Sequence, residues 1–321
     1  MFDSVRITIA EFDLCKLNWN LIKKKNISKS KSVIIINYKN CELQIFLSSG
    51  YILLITNAHT ILNKSNICVS DLKEFERRIK AILDEIILDG KYSISVNRLD
   101  FHIDVFEQDD MKFKIFMKLL IKHCDNFLYC KSKGKYATSM HLSTKNSGSR
   151  NINIYDKYEE QKAKNVTGAE LEKWKNCIRI ELQYKKMYFK NQYKKYGVIP
   201  ILENYWNIEC FNSMYIDIFD KYFYSPSPYY KLCIAKNIVN NSNLTFTLKK
   251  NINKFLGVVN IVGMENIKKY YNRLTINKFC RILIEELNIC PITLNDSEKI
   301  NRLDNLFELA KQNIIKNGYF N

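Results

Sequence analysis

The sequence predicts an α+β fold: a mainly antiparallel central sheet with helices packed on one face, plus a mostly helical C-terminal region. Three observations lead there. Strand-like and helix-like runs succeed one another as strands, helix, strand, helix, strands, helix, strand. Within Tyr92 to Phe106, YSISVNRLDFHIDVF, the alternation from Asn97 onward is that of a single two-faced strand. Beyond about residue 190 the texture changes, first to an aromatic and lysine-rich stretch and then to helical segments. The division that follows is 1–200 as one domain and 201–321 as a mainly helical DNA-binding or support domain.

In chain order, residues 3 to 10 alternate as a strand. After a lysine-rich turn (Lys23 to Lys31), SVIIINY, CELQIFLS and YILLITN read as an antiparallel meander broken at Lys39-Asn40 and Ser48-Gly50. Ser70 offers an N-cap to a helix marked by Leu72, Phe75, Ile79, Ile82, Leu83 and Ile86. The two-faced strand follows, then a second helix over 110–123 with His123 in its last turn. A strand at 127–130, a basic loop with Lys131, Lys133 and Lys135, and strands over 136–143 and 151–157 come next. Residues 158–175 read as helix broken near Asn165 to Gly168, and Cys177 to Tyr184 as strand. Leu244 to Leu248 suggest a short strand. Thereafter helices are expected, one capped by Thr275 and a last one over 296–316.

Bulk properties bound the function. With 321 residues, 46% of them hydrophobic, the chain can build a substantial core. Lys+Arg 50 against Asp+Glu 33 gives a formal charge of +17, which points to a polyanion partner. Ten cysteines without a CxxC read as buried thiols in a reducing compartment, not as a zinc site or disulfide framework. No signal peptide and no run of 18 apolar residues is found, so a soluble intracellular protein without membrane partners is expected. Neither a P-loop nor a GxGxxG is present, so nucleotide binding has no support.

Chemistry concentrates in three strands. On the first, Arg98, Asp100, His102 and Asp104 share one face and Leu99, Phe101, Ile103 and Val105 the other. Such acids and an imidazole are costly to bury unless paired or holding a cation. On the second, Asn153, Tyr155 and Lys157 face together, a tyrosine nucleophile with an ammonium to steady charge on a transferring phosphoryl group. On the third, Arg179 and Glu181 bring a carboxylate that completes a mixed site. Oxygen donors with one imidazole suit Mg²⁺ or Mn²⁺. The same residues also fit a metal nuclease that uses activated water, and a bland reading is a basic nucleic-acid binder with a solvated acidic strand. Lys185, Lys186, Lys190, Lys194 and Lys195 suit phosphate contacts, with most of the interleaved aromatics assigned to the core.

Taken in order, SVNRLDFHIDVF, NINIYDKYEEQ and NCIRIELQYKKMYFKNQYKKYGV resemble the replication initiators of filamentous phages, the gene II type nicking-joining proteins, and more distantly the rolling-circle initiators of Gram-positive plasmids. Both stand in or close to the HUH endonuclease superfamily, so the resemblance implies an HUH-like fold. It implies Tyr155 as nucleophile, Lys157 as its helper, and Arg98, Asp100, Arg179 and Glu181 as motif residues. It further implies single-stranded and supercoiled origin DNA as substrates, a divalent ion, a 5′-phosphotyrosine intermediate and a primer 3′ hydroxyl. The setting would be the cytoplasm of a bacterial host, with a host helicase and polymerase as further partners. The chain departs from the family in reading His102-Ile103-Asp104 where two histidines flank a hydrophobic residue. The implied ligands are therefore Asp100, His102 and Glu181, with Asp104 or His141 as substitutes.

Overall fold

In a computed structural model of the chain, residues 2–30, 32–64, 67–120, 122, 128–131, 139–144, 149–224 and 226–317 are described. The strands of the main sheet are β1 (Phe2–Ala10), β2 (Asn26–Lys29), β3 (Val33–Tyr38), β4 (Cys41–Phe46), β5 (Tyr51–Asn57), β6 (Ser93–Phe106), β7 (Leu128–Lys131), β8 (Ser139–Thr144), β9 (Arg150–Asp156) and β10 (Cys177–Lys185). They lie in the order β2-β3-β4-β5-β1-β6-β10-β9-β8-β7, with every neighbouring pair antiparallel. The protein is thus α+β, and β6, the two-faced strand, runs through the middle of the sheet between β1 and β10.

Local chemistry sets these elements. The β3–β4 hairpin closes through Lys39 and Asn40, both at positive φ, as a two-residue turn requires when it must match the twist of its strands. In β6 the register against β1 slips: Arg6 is opposite Arg98 and Ile7 opposite Val96, leaving Asn97 as the extra residue of a bulge. Its side-chain amide donates to the Thr8 hydroxyl at 3.1 Å. The bulge lets Val96 and Leu99 share the apolar face and turns Arg98 outward with Asp100, His102 and Asp104.

On the apolar face Leu99, Phe101, Ile103 and Val105 are all buried. Phe101 packs against Phe2 and Phe211 at ring distances of 4.9 and 5.5 Å, and Trp206 stacks on Phe2 at 4.1 Å. The helices among the described residues are α1 (Trp19–Lys25), α2 (Ala58–Leu62), α3 (Leu72–Ile86), α4 (Asp110–Leu120), α5 (Lys157–Ala163), α6 (Ala169–Glu172), α7 (Lys186–Tyr196), α8 (Ile208–Phe223), α9 (Leu232–Asn241), α10 (Phe246–Asn266), α11 (Arg273–Arg281) and α12 (Leu306–Asn317). They are joined by a short β11 (Tyr229–Tyr230) and β12 (Arg302–Leu303) pair. Helices on both sides of residue 200 share one continuous apolar core with the sheet. The Tyr215 hydroxyl of α8, for example, donates to the Ile180 carbonyl of β10 at 3.2 Å.

Trp206 is a keystone of that layer: 1% exposed, between Phe2 and Phe75, with its indole N–H donated to the Cys68 carbonyl at 3.2 Å. Trp206→Ala is expected to cost about 3–5 kcal/mol through cavity formation and an orphaned carbonyl. Urea unfolding measures this; a loss under about 1 kcal/mol would contradict the packing described.

Several boundaries differ from expectation for identifiable reasons. Of the stretch expected as a lysine-rich turn, 23–25 end α1 and 26–29 form β2, and Lys31 lies outside the described residues. The strand at 151–157 ends at Asp156, whose carboxylate accepts the Tyr158 and Glu159 N–H groups and starts a helix at Lys157. Leu244 to Leu248 form no strand, since Thr245 opens α10. Asn272 rather than Thr275 caps α11, accepting the Thr275 N–H at 2.8 Å. The last helix starts at Leu306, not near 296, behind Asn305, whose side chain accepts the Phe307 N–H at 3.1 Å and donates to the Phe223 carbonyl. His123, Lys133 and Lys135 lie outside the described residues. Cys15 and Cys233 are exposed, not buried, and Cys41, Cys68, Cys177, Cys210, Cys280 and Cys290 are free thiols as well. Among the described residues no helix is long and apolar enough to cross a membrane.

Candidate active site

Three strands bring the polar residues into rows across one sheet face, because residues paired in an antiparallel register point the same way. Arg179 of β10 lies between Asp104 of β6 and Tyr155 of β9. One step along, Glu181 lies between His102 and Asn153, and His141 of β8 is the backbone register partner of Asn153. Next come Asp100, Gln183 and Asn151. The three separate sequence stretches therefore meet as one patch, with His102 and Asp100 only 4% and 6% exposed.

The Tyr155 hydroxyl donates to Glu181 Oε1 at 2.5 Å, while the Asn153 amide donates to Glu181 Oε2 at 3.3 Å. Burial, reinforced by the Glu181 carboxylate, pushes the Tyr155 phenol well above its ordinary value, so it stands neutral with its proton on the line to Glu181. Burial, with Arg179 next, holds the His102 imidazole well below its usual range and therefore uncharged at neutral pH. The His59 ring of α2 lies over it at 6.0 Å.

Two arginines hold the aspartates. Arg98 binds Asp100 through Nε to Oδ1 at 2.7 Å and Nη2 to Oδ2 at 2.5 Å. Arg179 binds Asp104 through Nε to Oδ1 at 2.6 Å and Nη2 to Oδ2 at 2.7 Å. Both are two-point, charge-assisted pairs. Lys157 shares no strand face with Tyr155. Having entered α5, it is buried, with Nζ 2.6 Å from Glu160 Oε2 and 5.9 Å from the Tyr155 ring centre. Burial, then Arg179, lowers its pKa.

The sequence reading missed Glu160, the buried partner of Lys157, and Trp174, whose ring lies under both Lys157 and Arg179 at 5.5 and 5.4 Å. A signal for the first existed: Asp156 followed three residues later by Glu159 is the pattern of a helix start, which turns Lys157 inward. Nothing in the sequence singles out Trp174. Tyr158 points elsewhere, its hydroxyl 3.2 Å from Glu172.

For a divalent ion the donor types are right: one neutral imidazole and several carboxylates. Their arrangement does not form a cage. Asp100 and Asp104 are taken by arginines and Glu181 by Tyr155 and Asn153, and among the described residues no group of three or more His, Cys, Asp or Glu is gathered to hold a metal. On α7, Lys186, Lys190, Lys194 and Lys195 are exposed, and Lys185 is half-buried at the end of β10. Phe189 is core as expected, but Tyr193 and Tyr196 are 56% and 61% exposed beside the lysines, against the assignment of most aromatics to the interior.

Asp100 has a pH consequence. Burial outweighs the opposing pull of Arg98 and lifts its pKa from 3.8 to about 6. Between these values the folded chain keeps a proton that the unfolded chain has shed, so stability falls as pH rises through that window. Asp100→Asn should flatten this slope by about 2–3 kcal/mol between pH 4 and 6. Urea midpoints at pH 4, 5, 6 and 7 for both proteins measure it, and parallel curves would contradict it.

A scan against protein-family models finds no match, and no curated protein matches the chain. Fold and site together define an α+β protein with a tyrosine–carboxylate pair set in a polar patch on its central strands.

Proposed function

We propose that the chain is an HUH-like rolling-circle replication initiator, which nicks one DNA strand through Tyr155 and later rejoins the ends. The observation that carries this reading is the Tyr155 hydroxyl seated 2.5 Å from the Glu181 carboxylate, in register with His102 on the central strand. The order of the three motif stretches, the +17 charge and the exposed lysines of α7 support it.

In the cutting step the Tyr155 oxygen forms a bond to phosphorus as the bond from phosphorus to the 3′ oxygen breaks. Glu181 accepts the phenol proton, and the departing 3′ oxygen takes a proton from water to leave as a 3′ hydroxyl. The strand's 5′ phosphate stays on Tyr155, and the reverse reaction with another 3′ hydroxyl rejoins the ends. Arg179, next to Tyr155 in register, is placed to steady charge on the phosphoryl oxygens, with Lys157 as a second cation behind it. The reading includes a Mg²⁺ or Mn²⁺ ion, which would polarise the scissile phosphate. His102, Glu181 and either Asp100 or Asp104 would hold it, once the aspartate is released from its arginine.

Labelled single-stranded DNA pooled from the protein's own genome, incubated with and without Mn²⁺ or Mg²⁺ and run on denaturing gels, tests the proposal. A DNA–protein adduct that needs the ion is expected. Cleavage without adduct would instead indicate attack by water, and tight binding with neither product a non-enzymatic nucleic-acid binder.

A further inference from the structure

Two rows beyond His102 and Glu181 the same face carries a line of three cations. Arg6 of β1 is opposite Arg98 of β6, which is opposite Lys185 of β10. Neighbouring strands are about 4.8 Å apart, so the three side chains leave the sheet side by side. All three are partly exposed. Arg98 is committed to Asp100, but among the described residues neither Arg6 nor Lys185 makes an ion pair. Of the other acids close by, Glu181 is held by Tyr155 and Asn153, and Asp3 by the Asn57 amide. Burial, then repulsion from Arg98, lowers the Lys185 pKa, with Asp100 opposing the shift and Arg6 adding to it.

We infer that the row Arg6–Arg98–Lys185 is a binding site for a backbone phosphate of single-stranded nucleic acid. One phosphodiester oxygen pair can bridge Arg6 and Lys185 while Arg98 stays on Asp100, so the site forms without breaking a buried pair. Lys185 and Arg179 are six positions apart on β10, roughly 20 Å at ~3.3 Å per residue, and Tyr155 is opposite Arg179. A strand held at the row and running along β10 crosses the uncharged amides of Gln183 and Asn151, passes Glu181 and Asn153, and reaches Tyr155 several nucleotides away. The row therefore fixes which phosphodiester meets the nucleophile. This last consequence rests on the proposed nicking function; the binding site itself does not.

The test is fluorescence anisotropy of the full chain with a labelled 20-mer oligothymidylate in EDTA, from 50 to 300 mM salt, so that no cleavage enters. Arg6→Gln and Lys185→Gln should each reduce the slope of log affinity against log salt by about 0.7, the share of one single-strand phosphate contact. Lys185→Arg should restore it. Lys112→Gln, an exposed lysine of α4 remote from the row in sequence, removes the same charge and should leave the slope unchanged. If Lys185→Gln behaves as Lys112→Gln does, the inference is overturned. Should the slopes fall while no adduct ever forms on any DNA, the phosphate row stands and the nicking function fails.

Discussion

Tyr155→Phe is expected to abolish both strand cleavage and adduct formation, a loss of at least about 10⁴-fold, because among the described residues no other group stands in its place on this patch with a proton acceptor attached. Phenylalanine keeps the ring, its packing and its place in β9, and removes the oxygen. It also leaves Glu181 Oε1 without its 2.5 Å donor, for which a stability cost of about 1–3 kcal/mol is expected. Binding of single-stranded DNA should persist, since the exposed cations are untouched. A sequencing gel of end-labelled DNA, with an anisotropy titration and a thermal melt of the same protein, separates these effects. Cleavage at the wild-type rate by a folded Tyr155→Phe protein would mean that water, not the phenol, attacks.

Glu181→Gln should have the second largest effect, lowering nicking by about 10²–10⁴-fold with little change in DNA affinity. Glutamine preserves shape and can still accept a hydrogen bond from Tyr155, but it cannot take the proton as the bond to phosphorus forms. It also removes a donor from the proposed cation site. The two roles separate in the response to Mn²⁺: loss of a ligand raises the concentration needed, whereas loss of the proton acceptor lowers the rate at saturating ion. The expected outcome is a lowered plateau. A rate unchanged at saturation would remove Glu181 from proton transfer.

Much of this patch is legible in the sequence. Strict alternation after Asn97 placed Arg98, Asp100, His102 and Asp104 on one face, and the bulge at Asn97 explains why the pattern begins there. The facing of Arg179 with Glu181 followed from the same period of two. What sequence could not give was partnership across strands. Nothing in RIE or HID says that Arg179 is opposite Asp104, or that Glu181 meets Tyr155, because register depends on turns and bulges far along the chain. That is why four candidate metal ligands read from spacing emerge as two arginine–aspartate pairs, a tyrosine-bound carboxylate and a buried imidazole. Lys157 was misplaced for a local reason: the Asp156 cap ends the strand one residue earlier, and a single residue decides whether the ammonium points along the face or into the fold. The C-terminal helices were legible in kind but not in extent, since side-chain caps such as Asn272 and Asn305 set their starts.

The measurement that bears most directly on the central claim is mass-spectrometric mapping of the DNA-linked peptide after reaction with the cognate strand and Mn²⁺. The expected product is a tryptic peptide carrying a 5′-linked nucleotide on Tyr155, absent from Tyr155→Phe protein. A nucleotide mapped to Tyr158 or any other residue, or efficient cleavage with no linked peptide, would contradict the assignment of Tyr155 as the nucleophile.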